Sequence, residues 1–163
     1  MDHSKNLAAD FSTFLFDEKL ADIKVEVRSA RFVEKSSDQS SKNEEFTVIS
    51  AHKIVLASRC PYFNSNFSHP WADSSPPTAR FPHFTETPMR AFLRYLYTGK
   101  LQIEVATVMG VMKISSYFNM EELVKACKEY LTGKHLSAFD LCHLYCEVRD
   151  ECDDFDDMRG FMT

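Results

Sequence analysis

Glycine is scarce in this sequence of 163 residues, which contains only four. Gly99, Gly110, Gly133 and Gly160 are isolated from one another, so the chain has no glycine-rich loop of the kind that cradles a phosphate. The Gly-x-Ser-x-Gly pattern that presents a serine nucleophile on a sharp turn is also missing. We therefore predict no catalytic residues and no enzymatic activity.

The sequence has no excess of basic residues either. Its formal net charge is −5 and its pI is near 5.7, whereas nucleic-acid binding requires a basic face. No apolar run approaches the roughly 18 residues of a membrane-spanning helix, and residues 1–10 lack the apolar core of a signal peptide. We expect a protein of the cytoplasm, the nucleus or both, with no nucleic-acid or membrane partner.

The five cysteines are odd in number and irregular in spacing, which predicts reduced thiols rather than a disulfide framework. Cys142, His143 and Cys146 raise the question of a metal, but adjacent residues diverge by about 100° on a helix and Zn²⁺ needs four converging ligands. We predict no metal, no other cofactor, and core packing for these cysteines. Cys60 precedes a predicted helix, so it is either a thiol activated by the helix dipole or an inert residue at the helix start.

Hydrophobic residues make up 44% of the chain, and fourteen of them are phenylalanine. This composition predicts a folded domain rather than disorder. The length suits one domain with a core of its own and a helical appendage.

The pattern along the first half predicts a helix followed by a hairpin. Leu7, Phe11, Phe14 and Leu15 recur at the spacing of one amphipathic helix. Residues 23–27 alternate apolar and charged side chains, as a half-buried strand does. Residues 34–45 are polar and predict a hairpin loop, after which residues 46–49 return as the partner strand.

The second half predicts helices. Thr87-Pro88 has the form of an N-cap followed by proline, and Gly99 would end that helix in a left-handed cap. Apolar residues at helical spacing predict two further helices, over 105–112 and 120–131. From Ser137 the helical pattern changes register, which places a domain boundary near Gly133 and a helical hairpin after it.

Residues 49–63 carry the most specific pattern. They read as a strand end that turns directly into a helix (His52-Lys53-Ile54-Val55-Leu56-Ala57-Ser58), followed by a short second helix opened by proline (Cys60-Pro61-Tyr62-Phe63). This stretch closely resembles the signature of the BTB/POZ family. Three other segments resemble that family in the right order: residues 20–23, 92–99 and 117–127. The resemblance covers about residues 7–132, and the segment after it is similar to the 3-box at the start of the BACK region.

Three departures from the family pattern stand out. An insertion at residues 31–45 lengthens a hairpin that is usually tight. Cys60 replaces the usual serine, which predicts a weaker N-cap. Ser115 and Ser116 stand where alanine and aspartate are common.

The resemblance implies an α/β fold with a small mixed sheet flanked by helices. On this reading residues 1–133 form a BTB/POZ domain, and residues 134–163 form an α-helical hairpin resembling the 3-box. The family mediates protein interactions, so the resemblance implies a non-enzymatic module. His52 would then order the junction between strand and helix by hydrogen bonding rather than act as a base.

A homodimer interface is the first site that the resemblance implies. BTB dimers often exchange or pack the amino-terminal helix across a two-fold axis, and many hold a charged pair at the floor of the interface. The matching positions are Leu7, Phe11, Phe14, Leu15, Asp22 and Lys53. The alternative is that the apolar stripe packs on its own subunit, with Asp22 bonded to His52.

A surface for the amino-terminal domain of cullin-3 is the second implied site. The family's apolar-x-Glu contact motif aligns with Trp71-Ala72-Asp73, an aspartate variant. The predicted contact residues are Phe67, His69, Trp71, Asp73, Tyr117, Phe118 and Asn119. The protein would then be a ubiquitin-ligase adaptor whose substrate protein binds a region not visible here. Two alternatives remain: Trp71 folds back onto its own domain, or the chain is a dimeric scaffold that recruits a transcriptional co-regulator without cullin.

Overall fold

A computed structural model describes residues 10–29, 45–67 and 77–133, together with Ser137, Ala138, Asp140, Leu141 and Leu144. Three strands form one sheet in the order β2-β1-β3. The strands are β1 (Ile23–Arg28), β2 (Phe46–Ala51) and β3 (Thr78–Thr85). Strand β1 is antiparallel to β2 and parallel to β3, so the predicted mixed sheet is confirmed.

Five helices that begin and end within the described residues accompany the sheet. They are α1 (Lys53–Arg59), α2 (Pro61–Phe67), α3 (Glu86–Thr98), α4 (Val105–Tyr117) and α5 (Glu121–Gly133). The predicted left-handed cap at Gly99 is confirmed, with φ 69° and its N–H bonded to the Tyr95 carbonyl. Further along, Ser137 and Asp140 exchange side-chain and backbone hydrogen bonds, a capping box that begins another helical turn.

One expectation about an element boundary was wrong. Helix α3 begins at Glu86 with Thr85 as its N-cap, two residues before the predicted cap at Thr87. Glu86 accepts hydrogen bonds from Thr47 and Arg90, which hold this earlier first turn. The sequence analysis made no prediction for residues 78–85, which form β3 and include Pro82, a residue typical of a turn or an edge strand.

The predicted amino-terminal helix is shorter than expected among the described residues. Helical geometry ends at Ser12, and i→i+3 hydrogen bonds form turns over residues 13–15. Phe14 and Leu15 therefore follow the helix and pack against the main core of the same chain. For these two residues the structure agrees with the alternative in which the stripe packs on its own subunit.

The main core lies between the sheet and the helices. Strand residues Ile23, Val25 and Val27 are fully buried, and helix α3 contributes Phe92 and Leu93. A second, smaller cluster joins α4 to α5 around Val108, Val111 and Cys127, with Leu144 packed against it.

Close contact between α3 and α4 depends on Gly110. A Cβ atom at this position would lie 2.4 Å from Pro88 Cγ, on a ring that cannot rotate away. We expect Gly110→Ala to lower the free energy of unfolding by about 1–2 kcal/mol, because overpacking outweighs the better helix propensity of alanine. Urea titration measures this change. Gly133→Ala is the control, because nothing lies within 4 Å of its Cβ position; equal effects of the two substitutions would contradict the prediction.

Candidate protein-interaction surfaces

His52 joins three distant segments at the point where β2 passes into α1. Its backbone N–H donates to the Tyr97 hydroxyl at 2.9 Å, Nδ1 lies 2.8 Å from the same hydroxyl, and Nε2 lies 3.0 Å from the Lys19 carbonyl. A proton on Nε2 satisfies every group, because Tyr97 then donates to Nδ1 and Nε2–H donates to the carbonyl. The prediction that His52 orders this junction is confirmed.

Asp22 does not make the contacts expected of it. Its Oδ1 accepts a 2.7 Å hydrogen bond from the backbone N–H of Lys53, and so caps the start of α1. The Lys53 ammonium instead lies 6.0 Å from the centroid of the Phe67 ring. Within the described residues, Asp22 and Lys53 form no ion pair inside one chain, and the alternative bond from Asp22 to His52 is not made either.

Exposed apolar side chains flank this junction. Leu20 is 74% exposed and Ile54 is 70% exposed, and Phe11 is also exposed. Leu20 has φ 63°, a left-handed conformation that is unusual for a branched side chain. The predicted set missed Leu20 and Ile54, because each lies inside a stretch that matches the family signature and was interpreted as structural. Their surface position could have been found only from the fold.

A second surface lies where α4 ends. Tyr117 is 54% exposed, yet its ring makes edge contacts with Phe84 at 5.3 Å and Phe118 at 5.2 Å between centroids. Phe67 is half-buried and stacks on Phe63 at 5.6 Å. Tyr117 is therefore an exposed aromatic side chain held in one position by the core beneath it.

The Phe118 side chain is not accessible to a partner protein. It is 0% exposed and belongs to the main core, although the sequence analysis placed it among the contact residues. Helix α4 ends at Tyr117 and the chain turns at Phe118 and Asn119, so the helical pattern does not predict which way the Phe118 side chain faces. This turn directs Phe118 inward and leaves Tyr117 outside. We remove Phe118 from the proposed contact set and assign it to support Tyr117.

Tyr62 lies beside Tyr117, with 5.7 Å between the two ring centroids. Burial, as the largest cause, raises the pKa of Tyr62, and the neighbouring Tyr117 hydroxyl acts in the same direction. Tyr62 therefore adds a further ring contact that holds Tyr117 in place.

A groove of about 410 Å³ continues from this surface between α4 and α5. Asn119 lies at its edge with φ 57°, a left-handed conformation that asparagine tolerates. The groove is lined by Ser116, Asn119, Met120, Glu121, Val124, Lys125 and Lys128. Asn119 and Tyr117 are both exposed, and they flank the buried Phe118.

Four of the predicted contact residues lie outside the described residues. These are Leu7 of the dimer set and His69, Trp71 and Asp73 of the cullin set. The cysteines and histidine at 142, 143 and 146 also lie outside them. In the part of the chain that the structure describes, no group of three or more His, Cys, Asp or Glu side chains is arranged to hold a metal.

Cys60 is not an activated thiol. It is buried, and burial, as the largest cause, raises its pKa, while the nearby backbone N–H groups of Phe63 and Tyr62 act in the opposite direction. The interpretation of Cys60 as an inert residue at a helix start agrees with these contacts, and the activated thiol does not.

A family model described as the BTB/POZ domain matches residues 16–135. The chain belongs to the BTB/POZ domain family. Both surfaces described above fall within the matched stretch, except for Phe11, which precedes it. As a BTB/POZ domain, the chain is a protein-interaction module. None of its described helices is long and apolar enough to cross a membrane.

The relatives of this BTB/POZ domain include Kelch-like and zinc-finger proteins. Kelch-like protein 28 of Homo sapiens is 31% identical over 86 residues, which cover 53% of this chain and 15% of that protein. Zinc finger and BTB domain-containing protein 44 of Xenopus tropicalis is 30% identical over 89 residues, which cover 55% and 20% respectively. The similarity therefore concerns a small part of each relative.

Solved BTB domains share the fold. The BTB domain of zebrafish PATZ1 superimposes with a TM-score of 0.58 at 20% identity, covering 81% of this chain and 93% of that one. The BTB domain of human Gigaxonin gives a TM-score of 0.57 at 19% identity, covering 78% and 90%. These likenesses confirm the predicted α/β fold.

Proposed function

We propose that this BTB/POZ domain pairs with a second copy of itself and binds the amino-terminal domain of cullin-3, as an adaptor of a ubiquitin ligase. The observation that carries the proposal is Tyr117, an aromatic side chain that is half exposed and yet fixed by core contacts. Large aromatic side chains dominate the binding energy of protein interfaces. A prealigned one also loses little conformational entropy on binding.

The proposed cullin surface combines described and undescribed residues. Phe67, Tyr117 and Asn119 supply the described part, next to the groove between α4 and α5. His69, Trp71 and Asp73 complete the surface as the family resemblance places them. In Trp71-Ala72-Asp73 the carboxylate is one methylene shorter than in the family motif, so the tryptophan would provide most of the contact.

The proposed dimer surface lies around the junction at His52. Its apolar part consists of Phe11, Leu20 and Ile54, whose exposure supports burial against a partner. Leu7, Asp22 and Lys53 remain in the set from the family resemblance. Stable obligate pairs bury about 2,000 Å² or more in total, so neighbouring residues must add to this patch.

In the assembly that we propose, each dimer presents two cullin-binding surfaces to one bound substrate. Bivalency raises the effective concentration of the ligase near that substrate. The substrate protein would bind a region outside this domain. We keep the division into a BTB/POZ domain at 1–133 and a helical hairpin at 134–163 as part of the proposal, and the capping box at Ser137 supports a helix start there.

Two substitutions test the cullin surface and the dimer surface separately. Tyr117→Ala is expected to weaken calorimetric binding of the cullin-3 amino-terminal domain at least about tenfold, as loss of an interface anchor does, and to leave the mass of the dimer unchanged. Ile54→Glu is expected to yield a monomer in sedimentation equilibrium, with cullin binding per chain retained. Each variant thus serves as the control for the other, and near-native circular dichroism establishes that both fold.

A flat titration with folded wild-type protein would contradict cullin binding and leave the dimeric scaffold that recruits a co-regulator. A wild-type mass of one chain at every concentration would contradict pairing. Trp71→Ala then tests the undescribed part of the surface. If it binds cullin as tightly as wild type, Trp71 is not a contact residue.

A further inference from the structure

The two edges of the sheet differ in how well they are protected from pairing with another strand. Strand β3 carries Pro82, and its pairing with β1 shifts register between Val27 and Arg28. Proline and irregular pairing are devices that stop an edge from recruiting another strand. Strand β2 has neither: its six residues, Phe-Thr-Val-Ile-Ser-Ala, include no proline and no charge, and its register with β1 is regular.

Hydrogen bonds show which β2 groups point away from the sheet. The N–H of Ser29 donates to the Glu45 carbonyl, whereas the N–H of Lys24 donates to Pro77 on the β3 side. Odd-numbered residues of β1 therefore bond to odd-numbered residues of β2. The backbone groups of Phe46, Val48 and Ser50 point outward, and among the described residues no strand pairs with that edge.

Side chains on this edge are apolar and accessible. Val48 is 50% exposed. Phe46 is held in place by Arg80, whose guanidinium carbon lies 5.4 Å from the ring centroid and whose Nε lies 2.8 Å from Glu26 Oε2. The outer face beside β2 is thus ordered by one aromatic ring and one ion pair, while no strand among the described residues pairs with the edge itself.

We propose that two copies of this chain pair antiparallel through their β2 edges, about a two-fold axis that passes beside Val48. In this register Val48 faces Val48 of the second copy, and Phe46 faces Ser50. The three outward-pointing residues of each copy then lie opposite the three of the other copy, so every outward N–H donates to a carbonyl of the other strand. The result is one six-stranded sheet from two three-stranded sheets.

The strand fits a copy of itself at its ends as well as at its centre. Glu45 precedes β2 and Lys53 follows it, so antiparallel pairing brings the acidic start of each strand towards the basic end of the other. A contact made of one strand from each copy buries less than the roughly 800 Å² per partner of a standard interface. We therefore expect weak, concentration-dependent association.

The backbone pairing of this contact involves β2 alone and does not require the pairing proposed around His52, although Lys53 lies near both contacts. Two different two-fold contacts on one chain link copies into open assemblies rather than a closed pair. Association through β2 would join dimers to one another, or join monomers if the first contact is absent. The two contacts can therefore succeed or fail separately.

Sedimentation equilibrium over micromolar to near-millimolar concentrations tests the proposal. In the Ile54→Glu background, the average mass is expected to rise from one chain of 18.8 kDa towards two. Val48→Lys opposes two ammonium groups at the axis and is expected to weaken this association at least tenfold. Thr78→Lys, an exposed position on the opposite edge, is the matched control and should leave it unchanged.

A second readout needs no substitution. The amides of Phe46, Val48 and Ser50 are expected to exchange hydrogen more slowly at high protein concentration than at low concentration. Equal exchange at both concentrations would overturn the proposal, as would equal sedimentation of the Val48→Lys and Thr78→Lys proteins. An unrelated extended peptide can also be added. If it slows exchange of these amides while the protein itself does not associate, the edge binds a different partner and the proposal is overturned.

Discussion

Replacing Phe118 with alanine is expected to lower the free energy of unfolding by about 3–5 kcal/mol. Phe118 is completely buried, and its ring lies against aromatic rings from α2, β3, α3 and α4. Centroid distances range from 4.9 Å to 6.2 Å. The contacting residues are Tyr62, Phe63, Phe81, Phe84, Phe92 and Tyr117. Because so many elements meet at this ring, they cannot collapse into the cavity that alanine would leave.

Urea titration of the two variants Phe118→Ala and Tyr117→Ala measures this effect. Tyr117 is half exposed, so its replacement is expected to cost about 1–2 kcal/mol, less than that of a fully buried ring. The two variants distinguish a residue that stabilises the core from a residue that contacts a partner, since Tyr117→Ala is also the variant expected to weaken cullin binding. If Phe118→Ala costs no more stability than Tyr117→Ala, the assignment of Phe118 as the centre of the aromatic core is wrong.

Alkaline pH is expected to destabilise the folded protein strongly, and Tyr97 is one of the buried groups responsible. Burial, as the largest cause, raises the pKa of Tyr97 to about 12, and the negative charge of Asp22 acts in the same direction. In the unfolded chain the phenol loses its proton near its ordinary value of 10.0. Between those values the folded state binds one more proton. The stabilisation is therefore complete below pH 10 and is lost as pH rises to 12, at about 1.4 kcal/mol per pH unit.

The pKa values of two buried cysteines are also raised. Burial raises the pKa of Cys127 to about 11 from an ordinary value of 9.0, and also raises that of Cys60. Stability should therefore begin to fall above about pH 9. Urea titrations from pH 8 to 12 measure the slope. Tyr97→Phe should be less stable at neutral pH but should lose less stability between pH 10 and 12; an unchanged slope in this variant would contradict the role of Tyr97.

The sequence predicted the parts of the fold that depend on local patterns. The alternation of buried and exposed residues in β1 is the pattern of a half-buried strand, and Gly99 is the residue type that a left-handed cap requires. The motif around His52 identified the family because strand end, histidine and helix start are contiguous in the chain. These features need no knowledge of distant residues.

Other features depend on contacts between distant segments, which one sequence does not show. Strand β3 forms because residues 78–85 meet β1 from 54 positions away, against the local preference of Pro82. Phe118 and Tyr117 are adjacent aromatics, and only the turn after α4 decides which of them is buried. Leu20 is placed near the start of α1 because His52 bonds the Lys19 carbonyl, and no periodicity marks that contact.

The bond between His52 Nε2 and the Lys19 carbonyl has a consequence for any dimer that this chain forms. Arg90 adds a second attachment, with its guanidinium carbon 4.8 Å from the centroid of the Phe16 ring. In a dimer that exchanged this segment, the partner's copy of the Lys19 carbonyl would have to take the same place beside His52 Nε2; otherwise a buried imidazole nitrogen would be left unsatisfied, at a cost of about 1–3 kcal/mol. Any exchange of residues 14–20 between two copies would therefore have to restore both attachments across the interface.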